Sequence, residues 1–174
     1  LPGPTGNYVN LGATHPGHFD TASSNLFVEA WFYSSGPGGG GIGALQHIAA
    51  VSGASVTTTE VWGLMFYQGN YADFYMYNTT NSAFESRNTT ALQYNTWYHI
   101  AGSWDSVAKK TYVFVNGSVG ATVGSLTGSA RAFDPTHSLQ LGTDFYTGNT
   151  ANGYIRDVRV IQGGSVPTAS FTPD

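Results

Sequence analysis

The chain has 174 residues, a formal net charge of −4, 9% charged and 14% aromatic residues, and no cysteine. Three Glu, two Lys and four Arg cannot cover the outer faces of a helical bundle, since ordinary domains carry roughly 25% charged residues, and they cannot supply the clustered cations that nucleic-acid phosphates require. Disulfides, thiolate nucleophiles and Cys zinc sites are excluded outright, and few charges with many aromatics is the reverse of a disordered composition.

The opening Leu1-Pro2-Gly3-Pro4 reads as a linker, so one domain over residues 1–174, cut from a longer protein, is expected. The first clear strand is Leu26 to Tyr33, with Leu26, Val28, Ala30 and Phe32 on one face and Phe27, Glu29, Trp31 and Tyr33 on the other. Gly36 to Gly43 is a glycine-rich loop with no Lys-Ser/Thr after it, so it is not a phosphate-binding loop. Strands follow at Leu45–Val51, Val61–Tyr67 and Tyr71–Tyr77, the last two joined by Gln68-Gly69-Asn70. The stretch Asn78–Gln93 is polar and is expected to be irregular. Trp97–Trp104 and Thr111–Val115 form a hairpin, and Asn116-Gly117 signals a primed turn. Leu139–Gly142 and Tyr154–Ile161 close the series. No window carries helical periodicity and no stretch reaches 18 consecutive apolar residues, so the pattern predicts an antiparallel β-sandwich or barrel without a membrane-inserted segment.

Three segments carry a resemblance: NLFVEAWF at 25–32, WYHIAGSWDSVAKKTYVFVNG at 97–117, and GYIRDVRVI at 153–161. Together they resemble the concanavalin A-like lectin/glucanase superfamily in its laminin-G-like or pentraxin-like branch, over about residues 8–172. The closing VPTASFTPD resembles tails of such domains in phage and large DNA virus proteins. The resemblance implies an all-β jelly roll of two curved antiparallel sheets, the convex one covered and the concave one or its rim binding carbohydrate. It also implies an extracellular or virion-surface setting, a monomeric isolated domain and no organic cofactor. Fold alone does not give function.

Glycoside hydrolysis needs two carboxyl groups flanking the bond. The superfamily's E-x-D-x-x-E strand is missing, and Glu29, Glu60 and Glu85 are far apart in sequence, so hydrolysis is not expected. Alternation along Tyr71–Tyr77 turns Ala72, Phe74 and Met76 to the core and Tyr71, Asp73, Tyr75 and Tyr77 outward. Phenols there can stack on sugar C–H faces and bond to hydroxyls, and Trp31, Tyr33, Tyr67 and Gln68 join them as candidate substrate contacts. With Ile48 and Ala50 as core positions, His47 also points outward. A polysaccharide lyase needs a base, an acid and a neutraliser for a uronate carboxylate. His47 can be the base, a tyrosine among Tyr67, Tyr75 and Tyr77 the acid or base, and Arg87 or Gln68 the neutraliser. The same residues would also make a non-catalytic lectin site, and both alternatives stand. His99 lies in the superfamily's W-x-H-I/V-A pattern and is expected to be structural, whereas His15 and His18 are expected to be solvated loop residues. The resemblance also implies a structural Ca²⁺ at Asp157, with Gly17–Asp20 as the facing loop and Asp20 as its carboxylate. Sequons at Asn78, Asn88 and Asn116 allow glycosylation if the chain is secreted by a eukaryote.

Overall fold

Period-two alternation with apolar residues on one side puts each strand half in a core, and two such sheets must bury those sides against each other. The computed structural model describes residues 9–11, 21–38, 45–53, 60–67, 70–133, 137–144 and 149–174. Among them there is no helix. The first sheet runs in the order β1 (Val9–Asn10), β11 (Ser138–Leu141), β3 (Gln46–Ser52), β4 (Trp62–Tyr67), β5 (Tyr71–Tyr77), β6 (Ala83–Arg87). The second runs β10 (Gly124–Ser125), β8 (Lys110–Val115), β7 (Trp97–Asp105), β2 (Leu26–Ser34), β12 (Gly153–Gln162), with β9 (Ser118–Val119) paired to β8. Every pairing among the described residues is antiparallel. The result is the expected jelly-roll sandwich.

The core follows the alternation. Val28, Ala30 and Phe32 of β2 join one cluster with Trp62, Leu64 and Phe66 of β4 and Ala72, Phe74 and Met76 of β5. Each large apolar side chain buried there contributes roughly 1.5–3 kcal/mol. Phe74 of the first sheet sits over Gly102 of the second, whose missing side chain makes the room: a Cβ at 102 would lie 2.3 Å from the Phe74 ring.

Two expectations are corrected. The stretch Asn78–Gln93 is not irregular throughout, because Ala83–Arg87 pairs with β5 as an edge strand. Its polar residues suit an edge, where one side of the backbone ladder stays open to solvent. Ala50 is buried but lies outside the core cluster, while Ile48, Ala49 and Val51 belong to it. A bulge between His47 and Ala49 inserts one residue and reverses the parity of the strand beyond it. His47 precedes the bulge and keeps its outward direction.

Part of the outer face of the second sheet, around Phe27, Ala101 and Phe114, is covered by the C-terminal segment. Phe171 packs edge-on against Phe27, His99 and Phe114, and its backbone N–H donates to the Gly117 carbonyl at 2.9 Å. Asn116 and Gly117 both take positive φ (49° and 75°), the geometry of the primed turn. Asparagine amides fasten other corners. Asn78 Oδ1 accepts from the Thr80 and Ser82 amides while its Nδ2 donates to Thr127 O. Asn88 Oδ1 accepts from the Ala72 amide while its Nδ2 donates to Thr90 O.

Candidate functional site

Antiparallel pairing puts directly opposite residues on the same face. On the outer face of the first sheet it lines up His47, Met65, Asp73 and Arg87 across β3 to β6, and beside them Ala50, Gly63, Tyr75 and Glu85. Gly63 has no side chain, so the Tyr75 ring folds over its backbone. There the Tyr75 hydroxyl lies 3.0 Å from His47 Nε2 and 3.2 Å from Glu60 Oε1. The other imidazole nitrogen, Nδ1, lies 3.5 Å from Asp144 Oδ2, which accepts from Asn149 Nδ2 at 3.1 Å. The His47 backbone N–H also donates to Asn149 O. These groups form the deep wall of a pocket of about 220 Å³, flanked by the rings of Tyr67 and Tyr77.

Burial governs the electrostatics. It holds the His47 imidazole below its ordinary range, against the pull of Asp144. It pushes the Glu60 carboxyl up to about 7, helped by the nearby Asp144 charge. The phenol of Tyr75 is driven well above 10 by burial and by Glu60, and that of Tyr77 up to about 12 by the same causes. Near neutrality burial therefore favours a neutral imidazole, two neutral phenols and a Glu60 carboxyl that still holds part of its proton. Beside it, Arg87 Nε donates to Asp73 Oδ2 at 2.7 Å while its guanidinium stacks 3.9 Å from the Tyr67 ring centre. Burial and Glu85 outweigh that guanidinium and push Asp73 up to about 7.

The structure thus brings together His47, Tyr67, Tyr75 and Tyr77, with Asp73 and Arg87 adjacent. Tyr71 pairs with Tyr67 at the hairpin end, half-buried. Gln68 and Asp20 lie outside the described residues, as do His15 and His18. Trp31 and Tyr33 belong to β2 and are part of the opposite sheet, away from the pocket. They sit in an aromatic group with Trp97 and Tyr154, bridged by Arg156. His99 is buried against Glu29, 3.1 Å from its carboxylate, as a structural residue would be. Asp157 occupies a bulge in β12, with its side chain 70% exposed and 3.6 Å from Arg156. Among the described residues no group of three His, Asp or Glu ligand atoms converges on it.

Glu60, Asp144 and Asn149 were not legible as site residues. Glu60 and Asp144 offer oxygens within 4.8 Å of one another and of a His47 nitrogen. The distance between carboxylates along the chain was therefore no guide to their spacing. Asp144 follows β11, and β11 neighbours β3 in the sheet, a long-range pairing that local patterning does not encode.

The profile of the concanavalin A-like lectin/glucanases superfamily matches residues 4–164. No curated protein matches the chain by sequence. Solved structures do match in fold. The CBM40 domain of the Ruminococcus gnavus IT-sialidase, bound to α2,3-sialyllactose, has a TM-score of 0.71 at 14% identity, covering 97% of this chain and 90% of that one. Domain 4 of AbnA, a GH43 extracellular arabinanase from Geobacillus stearothermophilus, in complex with arabinotriose, gives 0.60 at 17% identity, covering 94% and 74%. A native heptameric SAP-like pentraxin from Limulus polyphemus gives 0.53 at 14% identity, covering 88% and 74%.

Proposed function

We propose that this chain, which belongs to the concanavalin A-like lectin/glucanases superfamily, is a carbohydrate-binding domain that receives a glycan on the outer face of its first sheet. The observation that carries this is the pocket itself: tyrosine rings beside an imidazole and carboxyl groups, in a hollow of about 220 Å³. Apolar ring faces with a few placed polar groups suit a sugar, whose C–H faces stack and whose hydroxyls bond. The volume suits one sugar residue of a longer chain. Similarly folded domains that carry sialyllactose or arabinotriose add support. The pocket's acidic groups, Glu60, Glu85 and Asp144, favour a neutral or amino sugar over a uronate.

A second interpretation, β-elimination of a uronate-containing polysaccharide, is favoured by one contact. His47 Nε2 stands 3.0 Å from the Tyr75 hydroxyl, and burial keeps the imidazole in the basic form that proton abstraction needs. Against it, the Arg87 guanidinium is already committed to Asp73 and Tyr67. Binding is the stronger of the two.

A glycan array followed by calorimetry tests the proposal. Binding that falls at least tenfold in Tyr77→Ala and Tyr67→Ala, with the melting curve retained, is the expected result. An array with no ligand, or binding that both variants leave unchanged, overturns it. Ultraviolet absorbance of unsaturated uronates, followed with wall polysaccharides, would reveal elimination if it occurs.

A further inference from the structure

Among the described residues, three buried polar atoms on the pocket wall have no hydrogen-bond partner: His47 Nδ1, Asp144 Oδ1 and Asn149 Oδ1. Their residues are 2%, 4% and 6% exposed. Orphaned polar atoms in such a setting cost roughly 1–3 kcal/mol each, so a cluster of three calls for a partner.

The proton inventory indicates what kind of partner. Tyr75 has a single phenolic proton, and its oxygen is within reach of both Glu60 Oε1 and His47 Nε2. When that proton goes to Glu60, the neutral His47 must donate from Nε2 to the Tyr75 oxygen, and Nδ1 is left as a bare lone pair. The lone pair faces the Asp144 carboxylate 3.5 Å away, and two acceptors at that separation repel. A cation between them turns the repulsion into attraction.

We propose that His47 Nδ1, one carboxylate oxygen of Glu60 and one of Asp144 bind a divalent first-row transition-metal ion, with Asn149 Oδ1 beside them as a further oxygen donor. A His47 ring nitrogen and one carboxylate oxygen each from Glu60 and Asp144 lie within 4.8 Å of one another, and Nδ1 is the nitrogen that stands 3.5 Å from Asp144 Oδ2. Ligands about 2.1 Å from a shared ion stand at most about 4.2 Å apart, so small side-chain adjustments close the site. An imidazole among carboxylates suits Zn²⁺ or Mn²⁺, whereas Ca²⁺ wants six to eight oxygens. The surroundings suit a ligating histidine: with Nδ1 on the ion, Nε2 would donate to Tyr75 and Tyr75 to Glu60, a chain that would fix the tautomer and the ring. The ion would join β3 to Glu60, two residues before β4, and to Asp144, which follows β11. It is a different site from the Asp157 region, and it does not depend on glycan binding.

The test uses the whole chain, stripped with chelator and dialysed. Zn²⁺ alone, and separately Mn²⁺ alone, is titrated by calorimetry, and a nitrogen-15 spectrum of the imidazoles is recorded with and without Zn²⁺. The expected result is one ion per chain, a large shift of the His47 Nδ1 resonance, and a proton retained on Nε2. Asp144→Asn and His47→Gln should weaken binding more than tenfold, and Tyr75→Phe, which touches the ion only through its neighbours, about tenfold. The spectrum is read on the unaltered chain, so the test stands even if a buried variant fails to fold. No binding overturns the proposal. So does binding that leaves the His47 resonances unmoved, or binding that disappears only in a His15→Asn, His18→Asn variant. A chain that binds glycan but no metal fails this proposal alone, and one that binds metal but no glycan fails only the carbohydrate proposal.

Discussion

Tyr75 lies across the backbone of Gly63, so closely that a Cβ at position 63 would stand 2.4 Å from the phenolic oxygen. The ring is held at its far end by His47 and Glu60 and cannot yield without losing both. Gly63→Ala should therefore cost about 1–3 kcal/mol, the usual penalty for overfilling a packed site, and should disconnect the pocket's hydrogen-bond chain. Denaturant unfolding measures the first effect. The nitrogen-15 spectrum of His47, in which the Nε2 proton should exchange faster, measures the second.

Gly102 plays the corresponding role between the sheets. A methyl group there would meet Phe74 Cγ at 2.4 Å and Cδ2 at 2.3 Å, and Phe74 is fully buried. Gly102→Ala should destabilise by roughly 1–3 kcal/mol, and Phe74→Leu should recover part of that loss although it is destabilising by itself. A double-mutant cycle in urea checks the coupling; strictly additive losses would mean that the two positions do not compete for space.

Asp73 gives a pH dependence of definite sign. Its carboxyl sits at about 7 in the folded chain against an ordinary value of 3.8. Between those values the folded chain keeps a proton that the unfolded chain has released, so stability falls as pH rises through that window. The full shift corresponds to about 4 kcal/mol, or on the order of ten degrees of melting temperature. Asp73→Asn should flatten the melting profile between pH 4 and 7 in chelator-treated samples; an unchanged slope would mean that Arg87 keeps Asp73 ionised throughout.

Phe171 is the aromatic anchor of the C-terminal segment. Phe171→Ala removes the ring that packs on Phe27, His99 and Phe114, and about 1–2 kcal/mol should be lost. Hydrogen exchange should then speed up at the Phe171 amide and along the β7–β8 hairpin, while the first sheet keeps its protection. Uniform loss across both sheets would show instead that the segment belongs to the main cooperative unit.

The strands that face the core were legible because their alternation is strict: Ala72, Phe74 and Met76 inward, Tyr71, Asp73, Tyr75 and Tyr77 outward. Ala83–Arg87 was not, because an edge strand with polar residues looks like a loop. Ala50 was misplaced because one inserted residue reverses alternation without leaving a mark in composition. In the site, His47 and the tyrosines could be found because they lie on those strands. Glu60 and Asp144 could not, since each is placed by how strands order themselves in the sheet. Trp31 and Tyr33 face outward as alternation indicates, but assigning them to the same surface as Tyr75 required knowing which sheet β2 joins.

A chain so poor in charges closes its corners with asparagine amides, and two of those asparagines begin Asn-x-Thr sequons. N-linked glycosylation is attached through Nδ2, the atom that Asn78 and Asn88 use to hold Thr127 and Thr90 once folded. In a eukaryotic secretory pathway, folding and sugar attachment would thus compete in time for the same nitrogens. A molecule that folds first keeps Asn78 and Asn88 bare and leaves the exposed Asn116 as the acceptor, so its glycopeptide pattern would record which process finished first.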